Sequence, residues 1–451
     1  MKKFLIIILC LITGQLSYAL DVVYPKRTSV TINSPHTFFI GSCDKPLTIN
    51  GNNVNIHKSG GFAYFVDLKE GENTFILKSG EETLKYSVIR PKKMSVAYKP
   101  PQFVEYKELK NIEVAIENSP LRKTPVSAGA NRMAHLPEGI KMTADGEKAG
   151  FYRVRLSDGN YGWIAKSNVK VITADIKPSK IYDFNFIDSN KYYTYVFHLE
   201  RPVPFEILEG ENFLINFYNI AGADKGVYSY VFPYFTVSGC KKIVGYEGHY
   251  AGNDFIFQVR KYPKINQKNP LKGITIAIDA GHGGKEVGAV GCLGNKEKDI
   301  NLEISKYLES ELKHRGAHVV MTRTEDNDLG LRERVNIANE NDALILLSIH
   351  CNALPDHLNP LEHSGTSVYY YYNQAKLLAA HILIEMNEQL GTNNDKVRQG
   401  SLALVRNTDA VSVLIETAYM INPEDNAKLV DPEFQKQCAK AIADGIANYI
   451  K

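Results

Sequence analysis

The sequence predicts a multidomain protein, with an all-β front half and a C-terminal α/β unit built on an open, mostly parallel sheet with helices on both faces. Three observations predict it. The chain has 451 residues, too many for one ordinary core, and its length alone suggests about three or four domains. From Asp21 to about Arg90, short runs alternating apolar and polar residues repeat at roughly ten-residue spacing, with Gly and Asn at the turns, and β-rich patterning continues to residue 264. After Lys272 the period changes, and apolar strands alternate with segments whose apolar residues fall at helical spacing. Composition excludes other classes. Hydrophobic residues at 44% and charged residues at 23% rule out a disordered or collagen-like chain. A net charge of +3, with Lys and Arg spread along the chain, gives no footprint for nucleic acid.

In chain order, residues 1–19 come first. Lys2 and Lys3, an apolar run from Phe4 to about Ile12, and the small-x-small triplet Ser17-Tyr18-Ala19 form the three-part pattern of a secretory signal cleaved after Ala19. The expectation is an exported protein, in the periplasm or in the cell wall outside the cell. Leu9 stands where lipoprotein signals have a small residue before their cysteine, so no lipid anchor is expected on Cys10. No later stretch reaches eighteen consecutive apolar residues, so no membrane span is expected after cleavage. Five cysteines then remain, Cys43, Cys240, Cys292, Cys351 and Cys438, an odd and scattered set that is no disulfide scaffold. For Cys292 and Cys351 a small buried residue is preferred over a thiolate ligand. Alternation along a strand should turn Cys351 away from His350.

Residues 20–91 read as a small β-sandwich, through "SVTIN", "TFFIGS", "LTINGNNVNIH", "FAYFVDLKEGENTFILKS" and "TLKYSVI". Their "LKEGENTFIL" resembles the late hairpin of immunoglobulin-like modules. "PKKMSVAYKPPQ" (91–102) suits neither helix nor central strand and marks a boundary. Residues 103–174 carry "SPLRKTP", "LPEGIKM" and "FYRVRLSDGNYGWIAKSNV" and resemble a bacterial SH3-like module. That family implies binding of cell-wall glycan or peptide stems, whereas the residues alone place Trp163 in a core. Residues 178–264, with "YYTYVFHL", "NFLINFYNI", "VYSYVFPYF" and "DFIFQVRKYP", read as a second β-rich accessory domain whose row of Tyr and Phe could stack on sugars but is better explained by packing between two sheets.

The segment 272–451 holds the chemistry. "ITIAI" is a buried strand, and the helix after it shows Ile300, Ile304, Leu308 and Leu312 on one face, closed by Gly316 with Lys313, His314 and Arg315 at its negative end. "HVVMT", a helical "LRERVNIANEN", "ALILLSI", "SVYYYY", a helix from about Gln374 to Leu390, "SVLIE" and a last helix from Pro432 to Tyr449 complete the order. "NPEDN" starts a further helix, with Asn422 as cap before Pro423. Ligands of open α/β sheets bind beyond the carboxyl ends of the strands. Four residues stand at such places: His282 among the glycines of "IDAGHGGKEVGAVG", Glu297 opening the first helix, His350 closing "ALILLSIH", and Glu416 closing "SVLIE". Two imidazoles and a carboxylate are a donor set for catalytic zinc, and a second carboxylate beside it can move protons.

The blocks "IDAGHGGKEVGAVG", "KEKDINLEISKYL", "TRTEDNDLGLRERVNIAN", "LLSIHCNA", "GTSVYYYY" and "VLIETAYMINPEDN" resemble, in that order, the zinc-dependent N-acetylmuramoyl-L-alanine amidases of the amidase_3 type. The resemblance covers about residues 273–450. It implies Zn2+ held by His282, Glu297 and His350, with Glu416 catalytic, and peptidoglycan as the substrate, cut between N-acetylmuramic acid and L-alanine. Ala280 and Cys351 replace a Pro and an Ala of many relatives, and neither change removes a ligand. Residues 373–400 leave room for one helix and a loop, so no built-in helical plug over the metal is expected. Asp279 is read as orienting His282 through an indirect contact or equally as a turn residue, His357 and His363 as loop histidines that touch substrate or, as exposed loop histidines usually do, have no role, and Arg332 and Arg334 as helix residues that pair with Glu or pack their stems rather than take a catalytic part. Envelope proteins that recruit the enzyme are a further expected partner. Two rival readings stay open: another exported zinc peptidase or deacylase, and a non-catalytic wall-binding protein.

Overall fold

The computed structural model describes residues 20–451 apart from 93–98, 158, 211, 224–233 and 238–241. The expected secretory signal, the middle half (93–98) of the lysine- and proline-rich connection at 91–102, and Cys240 lie outside the described residues. Among those described, no helix is long and apolar enough to cross a membrane.

The front half is β throughout. Residues 20–90 form a three-stranded sheet (Asp21–Tyr24, His36–Ser42, Gly61–Asp67) facing a five-stranded one, with Phe39, Leu47, Leu77 and Val88 buried between them. Residues 104–172 form one seven-stranded antiparallel sheet, in which Arg132–Leu136, Ser119–Arg122, Asn160–Ala165 and Phe151–Ser157 are neighbours in that order. Residues 179–260 again give two sheets, of five and three strands. Phe197, Phe205, Phe213, Phe217, Phe255 and Phe257 are buried among them, as the packing reading of the aromatics expects, while Tyr182 and Phe186 stay half exposed. Trp163 departs from expectation. It sits half-buried, edge-on to Phe103, because its strand position faces outward from the buried set of Val154, Leu156 and Ile164.

The C-terminal sheet is mixed. Its strands are β1 (Thr275–Ala280), β2 (His318–Met321), β3 (Ile345–Asn352), β4 (Thr366–Tyr370), β5 (Asn394–Gln399) and β6 (Val411–Tyr419), in the spatial order β2-β1-β3-β6-β4-β5. The first four of that order are parallel, but β4 runs antiparallel to β6. The reason lies in the connection from β3, residues 353–365, which contains only a 3-10 turn at Pro360–Glu362 and no helix to carry the chain back along the sheet. Residues 373–400 hold the expected helix but, in place of the expected loop, end in the strand β5. "NDKVRQ" has a single apolar residue, Val397, as suits an edge strand that buries little.

Helices α1 (Glu297–His314), α3 (Lys376–Leu390) and α5 (Pro432–Ile450) cover one face, and α2 (Leu331–Glu340) the other; α4 (Pro423–Leu429) follows β6. On α1, Ile300, Ile304, Leu308 and Leu312 form the buried stripe, and Gly316 takes φ +81° just past its end. On α4, the Asn422 side chain accepts from the backbone N–H groups of Glu424 and Asp425, with Pro423 at the first turn. Alternation divides the sheet: Ile276, Ile278, Ile345, Leu347, Ile349, Val413 and Ile415 join the core under α1, α3 and α5, while Ala277 and Leu346 pack with Ala338 and Leu404 on the α2 side. Asp279, Ser348, His350 and Glu416 share the parity of that second face and cluster at its carboxyl end.

Candidate metal centre and its cleft

Each functional side chain is placed by a different piece of backbone. His350 on β3 and Glu416 on β6 are partners across the parallel pair, so both project to one face at one level. His282 lies two residues beyond β1, with a left-handed backbone of φ +60° that few non-glycine residues adopt. Glu297 is the first residue of α1 and reaches over the end of β1 from the opposite face.

The structure brings three of the expected ligands together. One ligand atom from each of His282, Glu297 and His350 lies within 4.8 Å of the others. Glu297 Oε1 stands 3.2 Å from His282 Nε2 and 3.0 Å from His350 Nδ1, and accepts from the Cys351 backbone N–H at 3.1 Å. Its other oxygen accepts from the Ala289 N–H at 2.8 Å. Burial alone would push the Glu297 carboxyl up, yet the two imidazoles hold it far below the ordinary carboxylate range. His350 moves the other way. Its burial disfavours charge, but its bond to Glu297 and the fields of Glu416 and Asp279 raise it above the usual imidazole value.

Glu416 completes the group. Burial pushes its carboxyl up to about 7, the charge of Glu297 adding to the effect and the two histidines opposing it. Its Oε2 is buried with no hydrogen-bond partner. Native interiors seldom leave such an atom orphaned. Two imidazole nitrogens and one carboxylate oxygen are a donor set that suits zinc, with the orphaned carboxylate of Glu416 beside them, so the residues present fit that ion.

Two glycines explain the composition of the loop. A Cβ on Gly281 would lie 2.3 Å from the His350 ring, and one on Gly288 would lie 2.5 Å from Glu297 Oε2 and 2.8 Å from His282 Cδ2. Any side chain at either position would displace a ligand.

The supporting contacts show what surrounds the donor group. Asp279 makes no bond to the His282 ring; it accepts from Thr322 Oγ1, Ser348 Oγ and Arg334 Nη1 at 2.7, 2.7 and 2.8 Å, and so bears on His282 indirectly, through Arg334. Arg334 pairs with this aspartate, not with a glutamate, and donates to the carbonyls of Ala280 and His282, both at 2.8 Å. Arg332 is exposed. Sequence reasoning missed Arg323, which is 3% exposed and donates to the carbonyls of Ala280, Gly281 and Lys298. It also missed Asn301, which donates to the Gly281 carbonyl and to Glu297 Oε1, both at 3.3 Å. Together these groups hold the Ala280–His282 backbone that carries the first imidazole. Cys351 turns away as alternation requires, toward Asn301 and Thr417, and Cys292 is buried against the Met420 carbonyl; neither is in the donor group. His357 is exposed and His363 lies beside Tyr419, and neither lines the cleft.

That cleft, of about 550 Å³, opens over the donor group and is lined by His282, His350, Glu286, Asp328, Leu331 and Leu404 among others. None of its lining residues comes from 373–400, whose helix packs on α5 and β4.

Residues 276–448 match the family model described as N-acetylmuramoyl-L-alanine amidase. Over 191 residues the chain is 36% identical to the uncharacterized protein YqiI of Bacillus subtilis, a span of 42% of this chain and 90% of YqiI. It is 33% identical over 198 residues to the germination-specific N-acetylmuramoyl-L-alanine amidase of that bacterium, covering 40% of this chain and 81% of the relative. With N-acetylmuramoyl-L-alanine amidase LytC, also from Bacillus subtilis, it shares 38% identity over 188 residues, 41% of this chain but 37% of LytC.

Proposed function

The chain belongs to the N-acetylmuramoyl-L-alanine amidase family, and on that premise we propose that its C-terminal unit hydrolyses the amide between N-acetylmuramic acid and L-alanine in peptidoglycan, with zinc held by His282, Glu297 and His350 and with Glu416 as the acid–base group. The activity is that of its family: a hydrolase acting on the cell wall. The observation that carries the residue assignment is the orphaned oxygen of Glu416 beside three donor atoms within 4.8 Å of one another.

A zinc ion in this donor set supplies Lewis acidity, polarising a scissile carbonyl and acidifying a water molecule. The remaining work falls to the chain. Glu297 and the two imidazoles present fixed lone pairs, and the bonds from Cys351, Ala289 and Asn301 keep the carboxylate from rotating away. Arg323 and Arg334 hold the Ala280–His282 backbone, which sets the direction of the first imidazole. Glu416 takes a proton at its carboxylate from the attacking water and delivers it to the departing amine nitrogen, a transfer suited to a group whose burial lifts its pKa toward neutrality.

The front-half sheets are proposed to be an immunoglobulin-like sandwich, an SH3-like module and an accessory sandwich that engage the wall, and the protein to act after export, with envelope proteins recruiting it. Digestion of purified sacculi separates this reading from its rivals. Release of stem peptides bearing free L-alanine amino groups supports it. Cleavage only within stems or of acyl groups would assign the site to a peptidase or deacylase, and wall binding without any cleavage would leave a binding protein.

A further inference from the structure

A second cluster lies on the same side of the sheet as the metal centre, where the seven-stranded sheet of residues 104–172 meets the chain after β4. Arg122 and Arg132 are direct partners across neighbouring strands, so both guanidiniums leave one face. Like charges placed opposite one another across a strand pair repel. A third, Arg406, faces them from the turn Leu404–Arg406, close enough for its charge to act on Arg122, and the phenol of Tyr371 closes the group by accepting from the Arg132 backbone N–H at 3.3 Å. Their neutral contacts are few: Arg122 donates to Asn131 at 3.0 Å, Arg406 to the Ser401 carbonyl at 2.7 Å, and Arg132 to the His135 ring at 2.8 Å.

No carboxylate pairs with any of the three among the described residues. Arg122 is 7% exposed, and Arg132 Nε is buried without a partner. The histidine supplies no charge, since burial and the three guanidiniums hold it down to about 4. A buried cation of a native protein is normally paired, and the buried Arg122, facing the half-buried Arg132 and Arg406 with no paired carboxylate among the described residues, destabilises the fold unless an anion joins the group. Arginine presents a planar fork suited to carboxylate or phosphate.

We propose that Arg122, Arg132 and Arg406 form a binding site for an oxyanion, a carboxylate or a phosphate, built jointly by the seven-stranded sheet and the C-terminal unit. The stem peptide of the substrate is the source that position favours, and this choice of source rests on the amidase reading. Ser367 is the partner of Glu416, and Tyr371 lies four residues further along the same chain. At strand rise that distance is about 13 Å, running down the sheet face from the carboxyl end of β6 where the metal centre lies. The turn that carries Arg406 also supplies Leu404 to the cleft. A stem anchored by its first residue at the metal centre and passing over the Leu404–Arg406 turn would bring a carboxylate near its far end toward the arginines.

The test is calorimetric titration of the full chain with inorganic phosphate and with a synthetic stem peptide carrying either a free or an amidated C-terminal carboxyl. The free acid should bind about ten-fold or more tightly than the amide. That ratio should fall to near one in Arg132→Ala and in Arg406→Ala and be partly kept in Arg132→Lys. Both alanine variants should melt no lower than the wild type, because they relieve repulsion. Tighter binding of phosphate than of the acid peptide, lost in the same variants, would keep the oxyanion site and move its source to phosphate. Equal binding of acid and amide with no response to phosphate, or a ratio that survives both substitutions, would overturn the proposal. Sacculus hydrolysis by the wild type reports separately on the amidase reading. Hydrolysis without arginine-dependent binding removes only this site, and arginine-dependent binding without hydrolysis removes only that reading.

Discussion

Glu416 carries a carboxyl that burial lifts to about 7, and a cation among the neighbouring donors favours its charged form and draws that value down. As the proposed base, Glu416 must be ionised to accept a proton, so kcat/KM should rise with pH through a midpoint below about 7. An acid limb well above 7 would show that the carboxyl never feels such a cation. Arg334 offers a second test at this scale. Its removal strands the buried Asp279 and frees the His282 carbonyl, so Arg334→Ala should lose about 3–5 kcal/mol in urea unfolding. An unchanged midpoint would mean that the pair does not hold the loop. The four chemical residues were legible because each is a polar residue at the carboxyl end of an apolar run or at the start of a helix. Arg323, Arg334 and Asn301 were not, because their bonds go to backbone carbonyls distant in sequence, and such contacts leave no local pattern.

The cap of α4 links two elements. Asn422 accepts from two backbone N–H groups at the start of α4 and donates to the carbonyls of Pro360 and His363, at 3.1 Å each, so it ties the helix to the loop that follows β3. Asn422→Ala should cost about 2 kcal/mol, and Asn422→Asp, which keeps the cap and loses both donors, should recover part of it. Equal losses in the two variants would assign the whole effect to the loop. At this scale the long periodic helices were read correctly, since one apolar stripe per helix is a strong signal. The edge strand β5 and the reversal of β4 were hidden, the first by its polar residues and the second because strand direction depends on the length and path of a connection rather than on any residue.

Across the whole molecule the front half is packed onto the C-terminal unit rather than strung beside it. Phe38, Ile40 and Ala63 of the first sandwich share a buried cluster with Cys292 and the core of the α/β sheet, and Tyr24 and Thr37 both donate to Asp356, at 2.6 and 3.0 Å. The seven-stranded sheet and the sandwich after it share another cluster. Linker composition and strand spacing suggested separate modules but carried no sign of these contacts, since an interface residue reads like any core residue. Phe38→Ala should therefore destabilise the C-terminal unit as well as the first sandwich, by about 3–5 kcal/mol where the two unfold together. Differential scanning calorimetry showing an unshifted C-terminal transition would separate them.

The most direct test of the account is bound zinc and sacculus hydrolysis measured on one preparation of Glu416→Gln. The carboxamide keeps the shape of the side chain and cannot take a proton, so the variant should hold zinc as the wild type does while hydrolysis falls by about 10²–10⁴-fold. Hydrolysis at the wild-type rate, or a variant that cannot hold zinc, would contradict the division between three ligands and one acid–base residue.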